Sequence, residues 1–192
     1  MMPSRRSVSL GLLALAALPA GCASPNPVLF TLDAVPGPVR PGAGRTIQIQ
    51  DIAIAPYLDR KTIVRSSSDF RIAVEQNDWW GEPFAAMLAR VMMAELEQRL
   101  PGATVLAESG TISATPTATV SINVARFDQD SGGAVVLVAQ MEVTFAAKSR
   151  PPVIQSLRFT APVAAKGVAG QVAAMSAAWG ALADRLALTL AG

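Results

Sequence analysis

The sequence predicts an α+β fold, a single two-layer sandwich in which an antiparallel or mixed sheet carries two long helices on one face. Short segments that alternate apolar and polar residues recur along the chain between turn-forming residues, which is typical of strands in hairpins. Two longer segments repeat apolar residues every three or four positions, which indicates amphipathic helices. With 51% apolar and 16% charged residues, the chain can bury one proper core.

The start of the chain predicts an export signal over residues 1–21. Arg5 and Arg6 form a short positive start, and residues 8–18 form an apolar run without charge. The run is about a dozen residues long, whereas a helix needs roughly 20 to cross a bilayer. We therefore expect the signal to be removed, leaving a tether over residues 22–27 and one domain over residues 28–192.

Cys22 is the only cysteine and follows the small residues Ala20 and Gly21, which resembles the lipobox of bacterial lipoproteins. In that motif the thiol is acylated and the cysteine becomes the first mature residue, so we predict a lipid anchor at Cys22. The alternative is an ordinary secretory signal cut nearby, which would leave a free thiol. Ala23 follows in place of Asp, and the usual sorting rule then implies the periplasmic face of the outer membrane.

Charge and composition argue against several function classes. Arg5 and Arg6 leave with the signal, so the mature chain is neutral, and no basic cluster alternates with aromatic residues as in nucleic-acid-binding proteins. The sequence has no histidine, no Gly-x-Ser-x-Gly motif and no phosphate-binding loop, so we predict neither catalysis nor a cofactor. Asp128-x-Asp130-Ser131-Gly132 is faintly similar to the opening of a calcium loop, but a solvated hairpin turn is the better interpretation.

In chain order, residues 28–32 predict a first strand, and the Pro- and Gly-rich residues 36–44 predict a surface loop. Residues 46–54 predict a strand in which the apolar phase slips between Ile49 and Ile52. A bulge at Gln50 and Asp51 would keep both halves facing one core. Residues 62–64 and 70–75 predict a hairpin closed by a serine-rich turn.

The next segment, residues 78–100, predicts the first long helix. Asp78 and Glu82 suit the positive end of a helix, Pro83 fits only its first turn, and Pro101-Gly102 ends it. On such a helix Trp79 and Trp80 cannot both face inward, so one would be a core residue and the other an exposed contact. A short strand over residues 104–107 follows.

The second half of the chain predicts a meander and a closing helix. Residues 120–124, 137–145 and 157–160 alternate as strands with short linkers between them, so we expect three antiparallel neighbours. Residues 168–190 carry an apolar stripe on an alanine-rich helix, and we interpret that stripe as core and not as a lipid-binding face.

Three segments resemble the ABC-type transport auxiliary lipoproteins, namely Phe30-Thr31-Leu32, Ile54-Ala55-Pro56-Tyr57-Leu58-Asp59-Arg60 with Ile63-Val64, and Trp80-Gly81-Glu82-Pro83-Phe84. Members of this family accompany paraquat-inducible-type and other MCE-domain lipid transport systems. The resemblance implies an outer-membrane partner of a periplasmic MCE-domain protein, which helps to move phospholipid or another apolar molecule between the membranes.

The candidate partner-binding residues are Tyr57, Leu58, Asp59, Arg60, Trp79 and Trp80. The first four suit a docking loop, or equally a structural turn in which Tyr57 closes the core. Docking would favour a homo-oligomer, because tunnel partners are themselves symmetric assemblies. The alternative function is a carrier lipoprotein that holds an apolar ligand between sheet and helices, and a weaker one is an outer-membrane assembly factor.

Overall fold

The computed structural model describes residues 26–66, 71–112 and 114–192. The predicted signal, Cys22 and residues 67–70 of the predicted serine turn lie outside the described residues. Within them, the chain forms nine strands, two α-helices and one 3-10 helix. The strands are β1 (Val28–Phe30), β2 (Thr46–Ile49), β3 (Ala53–Ile54), β4 (Thr62–Ser66), β5 (Ile72–Trp80), β6 (Thr104–Ala107), β7 (Ala118–Gln129), β8 (Ala134–Phe145) and β9 (Val153–Pro162). The helices are α1 (Phe84–Arg99), α2 (Gly167–Ala191) and the 3-10 helix Pro56–Leu58.

The strands form one mixed sheet with β7 at its centre. On one side β8 and then β9 pair antiparallel, which confirms the predicted meander. On the other side β2, β3 and β4 follow one another along β7, all parallel to it. β6 extends the sheet beyond β2, while β5 pairs antiparallel with β4 and β1 pairs parallel with β5. The predicted hairpin of β4 and β5 is therefore confirmed.

The predicted phase slip is a break between β2 and β3. Ile49 pairs with Val120, and Ala53 pairs with Asn123. The four steps from Ile49 to Ala53 therefore lie opposite only three steps of β7. The extra residue returns Ile52 to the core side, where it is buried. The chain remains attached to β7 there because Gln50 N–H donates to Val120 O at 2.9 Å.

The prediction of a helix from residue 78 was wrong. Asp78, Trp79 and Trp80 end β5, and each has a partner in β1. The N–H of Trp80 also donates to Lys61 O at 2.7 Å. The pairing on both sides outweighs the local helix-start signals, and α1 begins only at Phe84, directly after Pro83.

Both helices pack on one face of the sheet, as predicted, and the core lies between the layers. A row of aromatic rings crosses it: Trp80 stacks on Phe84 at 4.8 Å, Phe84 meets Phe127 at 6.0 Å, and Phe127 stacks on Trp179 at 5.8 Å. The indole N–H of Trp179 donates to Leu88 O in α1, which ties the two helices together. The apolar stripe of α2 is buried, which confirms its interpretation as core.

Neither helix in the described ranges is both long and apolar enough to span a membrane.

Candidate functional site

Trp79 lies on the open face of the sheet, the face turned away from the helices. Neighbouring side chains on a strand point to opposite faces, and Trp80 points into the core. The register partners of Trp79 are Leu29 on β1 and Thr62 on β4. Lys61 Nζ lies 3.8 Å from the centroid of the half-buried indole, in cation–π contact. The result is a small aromatic and cationic surface at the end of β5.

The predicted loop of Tyr57 to Arg60 lies next to this surface. Leu58 is buried in the core, whereas Asp59 and Arg60 are exposed. The N–H groups of Asp59 and Arg60 donate to Pro56 O at 3.3 Å and to Leu58 O at 2.9 Å. The turn therefore presents one acidic and one basic side chain from a closed backbone.

Tyr57 joins this turn to β7. Its hydroxyl donates to Oδ2 of the buried Asp128 at 2.7 Å, and Arg126 donates to Oδ1 through Nε at 3.0 Å and through the terminal guanidinium at 2.9 Å. Burial, followed by the hydrogen bond to Asp128, raises the pKa of Tyr57 above its ordinary range. The phenol therefore stays a neutral donor at any physiological pH.

The loop that starts at Asp128 is a hairpin turn. Both carboxylate oxygens of Asp128 are occupied by Tyr57 and Arg126, and Oδ1 of Asp130 accepts from Ala134 N–H at 3.0 Å. Across residues 26–66, 71–112 and 114–192, no three acidic, histidine or cysteine side chains gather as metal ligands.

Of the predicted partner-binding residues, three contribute to this surface and three do not. Asp59 and Arg60 are exposed and directly precede Lys61, which lies over Trp79, whereas Tyr57 supports the turn from the side of β7. Leu58 and Trp80 are buried, at 2% and 6% exposure. Lys61 joins the surface although the sequence did not single it out. We call Asp59, Arg60, Lys61 and Trp79 the docking patch.

A buried ion-pair network was missed at the level of the sequence. Arg99 and Glu95, one turn apart on α1, pair with side-chain exposures of 1% and 0%. Arg99 Nε also donates to Asp184 on α2 at 2.5 Å, and its terminal nitrogens donate to the carbonyl oxygens of Val35 and Gly180. The spacing of four between Glu95 and Arg99, inside an apolar helical stripe, was a signal that could have revealed the pair.

This network holds the loop between β1 and β2 against both helices. Val35 N–H donates to Oε1 of Glu95 at 3.0 Å. Burial raises the pKa of Glu95, while the Val35 N–H and Arg99 oppose the shift. Two glycines make room: a Cβ at Gly37 would lie 2.2 Å from the Arg99 guanidinium, and one at Gly180 would lie 2.3 Å from Val35 Cγ2. Carboxylates and carbonyl oxygens from the loop and from both helices surround the Arg99 guanidinium, which supports a structural role.

An open groove of about 270 Å³ crosses the open face further along the sheet. It mixes polar side chains with the apolar Ala53, Ile122, Met141 and Ile154, and it lies on the side opposite to the layer between sheet and helices. Its lining includes Asp51, Ser121, Asn123, Gln140, Glu142 and Ile154.

Comparison with known proteins gives a family and a fold. The family model for the ABC-type transport auxiliary lipoprotein component matches residues 30–187. A crystal structure described as that of an uncharacterized protein is similar with a TM-score of 0.72 and 19% identity, over 86% of this chain and 99% of that one. Protein XCC0632 from Xanthomonas campestris is similar with a TM-score of 0.64 and 17% identity, over 85% of this chain and 95% of that one.

No curated protein matches the chain. At these identities the two structures support the fold alone, and they agree with the mixed sheet and two helices described above. The family match spans the predicted docking turn, the core aromatic residues and most of α2. The chain belongs to the ABC-type transport auxiliary lipoprotein family.

Proposed function

We propose that this chain is a non-catalytic lipoprotein subunit of an MCE-type intermembrane lipid transport system. In this proposal Cys22 carries the acyl chains, the domain is held at the periplasmic face of the outer membrane, and it docks the periplasmic MCE-domain protein there. The family match supports a transport auxiliary role. The MCE partner and the outer membrane are our extension of it.

The filled core is the observation that favours a docking role over a carrier role. A carrier of apolar ligands needs a cavity lined by apolar side chains. Between the sheet and the helices, the row from Trp80 to Trp179 occupies the centre of the layer, and all four rings are at most 6% exposed. A ligand there would have to displace packed aromatic residues. The surface is therefore the better place to look for the function.

We assign the docking to the docking patch. Arg and Trp side chains are enriched among residues that dominate binding energy, and a cation held on an indole is a preformed contact. Asp59 and Arg60 offer both charges for pairing with a partner. Leu58 and Trp80 support the docking patch, because their buried side chains anchor the turn and the end of β5 in the core.

The test is site-specific photo-crosslinking in living cells, with the full-length lipoprotein at its native level. A photoreactive amino acid replaces Arg60 in one strain and Gln98 in the control strain, since Gln98 is exposed on α1, on the helical side of the domain. The crosslinked proteins are identified by mass spectrometry. We expect an MCE-domain protein at Arg60 and none at Gln98.

Other outcomes separate the parts of the proposal. An MCE-domain protein captured from Gln98 and not from Arg60 would keep the docking role and overturn the docking patch. Capture of no transport component from either position, together with phospholipid extracted in fixed ratio from the purified protein, would favour the carrier.

A further inference from the structure

The outer edge of the sheet beside the tether carries an unusual share of exposed aliphatic side chains. Val28 and Leu29 on β1 are 54% and 63% exposed, and Ile72 on the neighbouring β5 is 51% exposed. The other large exposed apolar residues among the described ones are spread singly over the surface, at Val39, Ile112, Ile154 and Leu188. Val28 and Leu29 point to opposite faces of the sheet, so their side chains flank the edge on both sides, and Ile72 lies further along it. Scattered residues need no explanation, but a group at one edge does.

This edge is also the place where the chain enters the domain. β1 runs parallel to β5, with Val28 level with Asp78. The preceding residues Asn26 and Pro27 therefore approach from the side of β5 that begins at Ile72. In the described part of the chain, no strand pairs with the outer side of β5 before Asp78.

The tether is short enough to keep a membrane that holds Cys22 near this edge. Six residue steps separate Cys22 from Val28, and an extended chain covers at most about 3.6 Å per step, or roughly 20 Å in total. On β5, the seven steps from Trp79 back to Ile72 lie opposite only four steps of β4, from Thr62 to Ser66, so Ile72 is roughly 13 Å along the sheet from Trp79. A membrane that holds Cys22 is therefore within reach of all three residues.

From this we infer that Val28, Leu29 and Ile72 form a membrane-contacting edge that lies on the phospholipid headgroup region of the bilayer holding the anchor. The inference rests on the proposed lipid anchor and adds a defined orientation to it. The strands β1 and β5 lie along the membrane surface, and the docking patch begins directly beside this edge, at the Leu29 and Trp79 pair.

The charges along the edge suit the headgroup region better than the hydrocarbon. Both signs are present on or beside β5, with Arg65 and Glu75 in an ion pair of 3.1 Å. Charged side chains are costly in the hydrocarbon interior but are accommodated among headgroups. The charged residues concerned are Lys61, Arg65, Arg71, Glu75 and Asp78.

The test uses the full lipoprotein in vesicles of phosphatidylethanolamine and phosphatidylglycerol that contain a lipid with a spin-label quencher near the headgroup. Cys22 is the only cysteine and is acylated in the lipoprotein, so one introduced cysteine can carry a fluorophore. The variants are Leu29→Cys, Ile72→Cys and the control Ile154→Cys. Ile154 is 70% exposed on β9, the edge strand beyond β8 on the other side of the sheet.

We expect quenching at Leu29 and Ile72 to be several times stronger than at Ile154. Failure of quenching at Leu29 or Ile72, or equal quenching at all three sites, would overturn the membrane-contacting edge. Flotation of the same samples tests the lipid anchor separately. Protein that floats without the quenching pattern would support the anchor and overturn the membrane-contacting edge. Protein that does not float would overturn both proposals.

Discussion

The hydroxyl of Tyr57 donates a 2.7 Å hydrogen bond to Oδ2 of Asp128, across 71 positions of sequence. This hydrogen bond connects the turn of Tyr57 to Arg60 with the central strand β7. Asp128 is only 2% exposed, so its carboxylate depends on Tyr57 and Arg126 for its partners. The position of the turn is therefore coupled to a buried charge.

Replacing Tyr57 by Phe removes this bond and leaves one carboxylate oxygen without its partner. We expect the free energy of unfolding to fall by about 1 to 2 kcal/mol, since a buried acceptor loses its donor. Urea denaturation measures the change. Thr160→Val, at an exposed position on β9, serves as the control and should leave stability nearly unchanged, because valine is also β-branched. An equally stable Tyr57→Phe protein would mean that the bond adds nothing to the fold.

The raised pKa of Tyr57 also predicts a loss of stability in alkali. The phenol of the unfolded chain ionises near pH 10, while the folded phenol ionises at higher pH. The contribution is fully present below pH 10 and is lost as the pH rises above it, because the unfolded state then releases the proton first. Chemical denaturation of both proteins between pH 8 and about 11 should show this slope in the wild type and a weaker one in Tyr57→Phe.

Replacing Arg99 by Met should be strongly destabilising. It leaves the fully buried Glu95 without its cation, and breaking a buried pair in this way costs about 3 to 5 kcal/mol. The loss should be smaller near pH 5 than near pH 7, because the carboxyl, with its pKa already raised by burial, then accepts a proton more readily. Urea denaturation at the two pH values measures both effects.

The matched control is Arg90→Met on the same helix. Arg90 pairs with Glu82 at 2.6 Å, but both side chains are about a third or more exposed. Such surface pairs contribute roughly 0 to 1 kcal/mol. Comparable losses for the two variants would contradict a special role of the buried network.

The two adjacent tryptophans should differ sharply when each is replaced by alanine. Trp80→Ala empties one end of the aromatic row and should cost about 3 to 5 kcal/mol. Trp79→Ala removes the cation–π contact with Lys61 and the packing of a half-buried ring, which together should cost less, about 1 to 2 kcal/mol. Thermal unfolding of both variants tests this difference. Similar melting temperatures would contradict the opposite orientations of the two rings.

Replacing Cys22 by Ala should release the domain from the outer membrane and leave its fold intact. The predicted anchor lies before β1 and outside the core, so it contributes no packing. Labelled palmitate should enter the wild-type protein and not the variant, and cell fractionation should find the variant away from the outer membrane. A variant that still sediments with outer membranes would end the lipid-anchor proposal.

Local periodicity was enough to predict much of the fold. The strand β6, the meander of β7 to β9 and both helices follow from apolar spacing and from the Gly and Pro residues between segments. These elements are long or clearly bounded, so their own residues specify them. The pairing of the short strands along β7 was out of reach, because the partners are far apart in sequence and each strand has only two to five residues.

The errors have physical causes. At Asp78 to Trp80 the helix-start signals are real, but strand partners on both sides outweigh them. At the site, Asp59 and Arg60 could be proposed from residue type alone. The support of Tyr57 by Asp128 could not be predicted, because no local pattern relates them. The spacing of Glu95 and Arg99 allows an ion pair on the helix, but the same spacing also occurs on exposed helix faces, so it does not by itself indicate that both charges are buried.

The strand β1 has only three residues and is the last strand at its edge of the sheet. Local opening at such an edge costs little compared with global unfolding. If β1 separates from β5, its three residues become part of the tether and lengthen it by about 10 Å. If Cys22 is anchored as proposed, the opening of β1 sets how far the domain can stand from the membrane, and Phe30, which packs against the core, is the side chain that resists this opening.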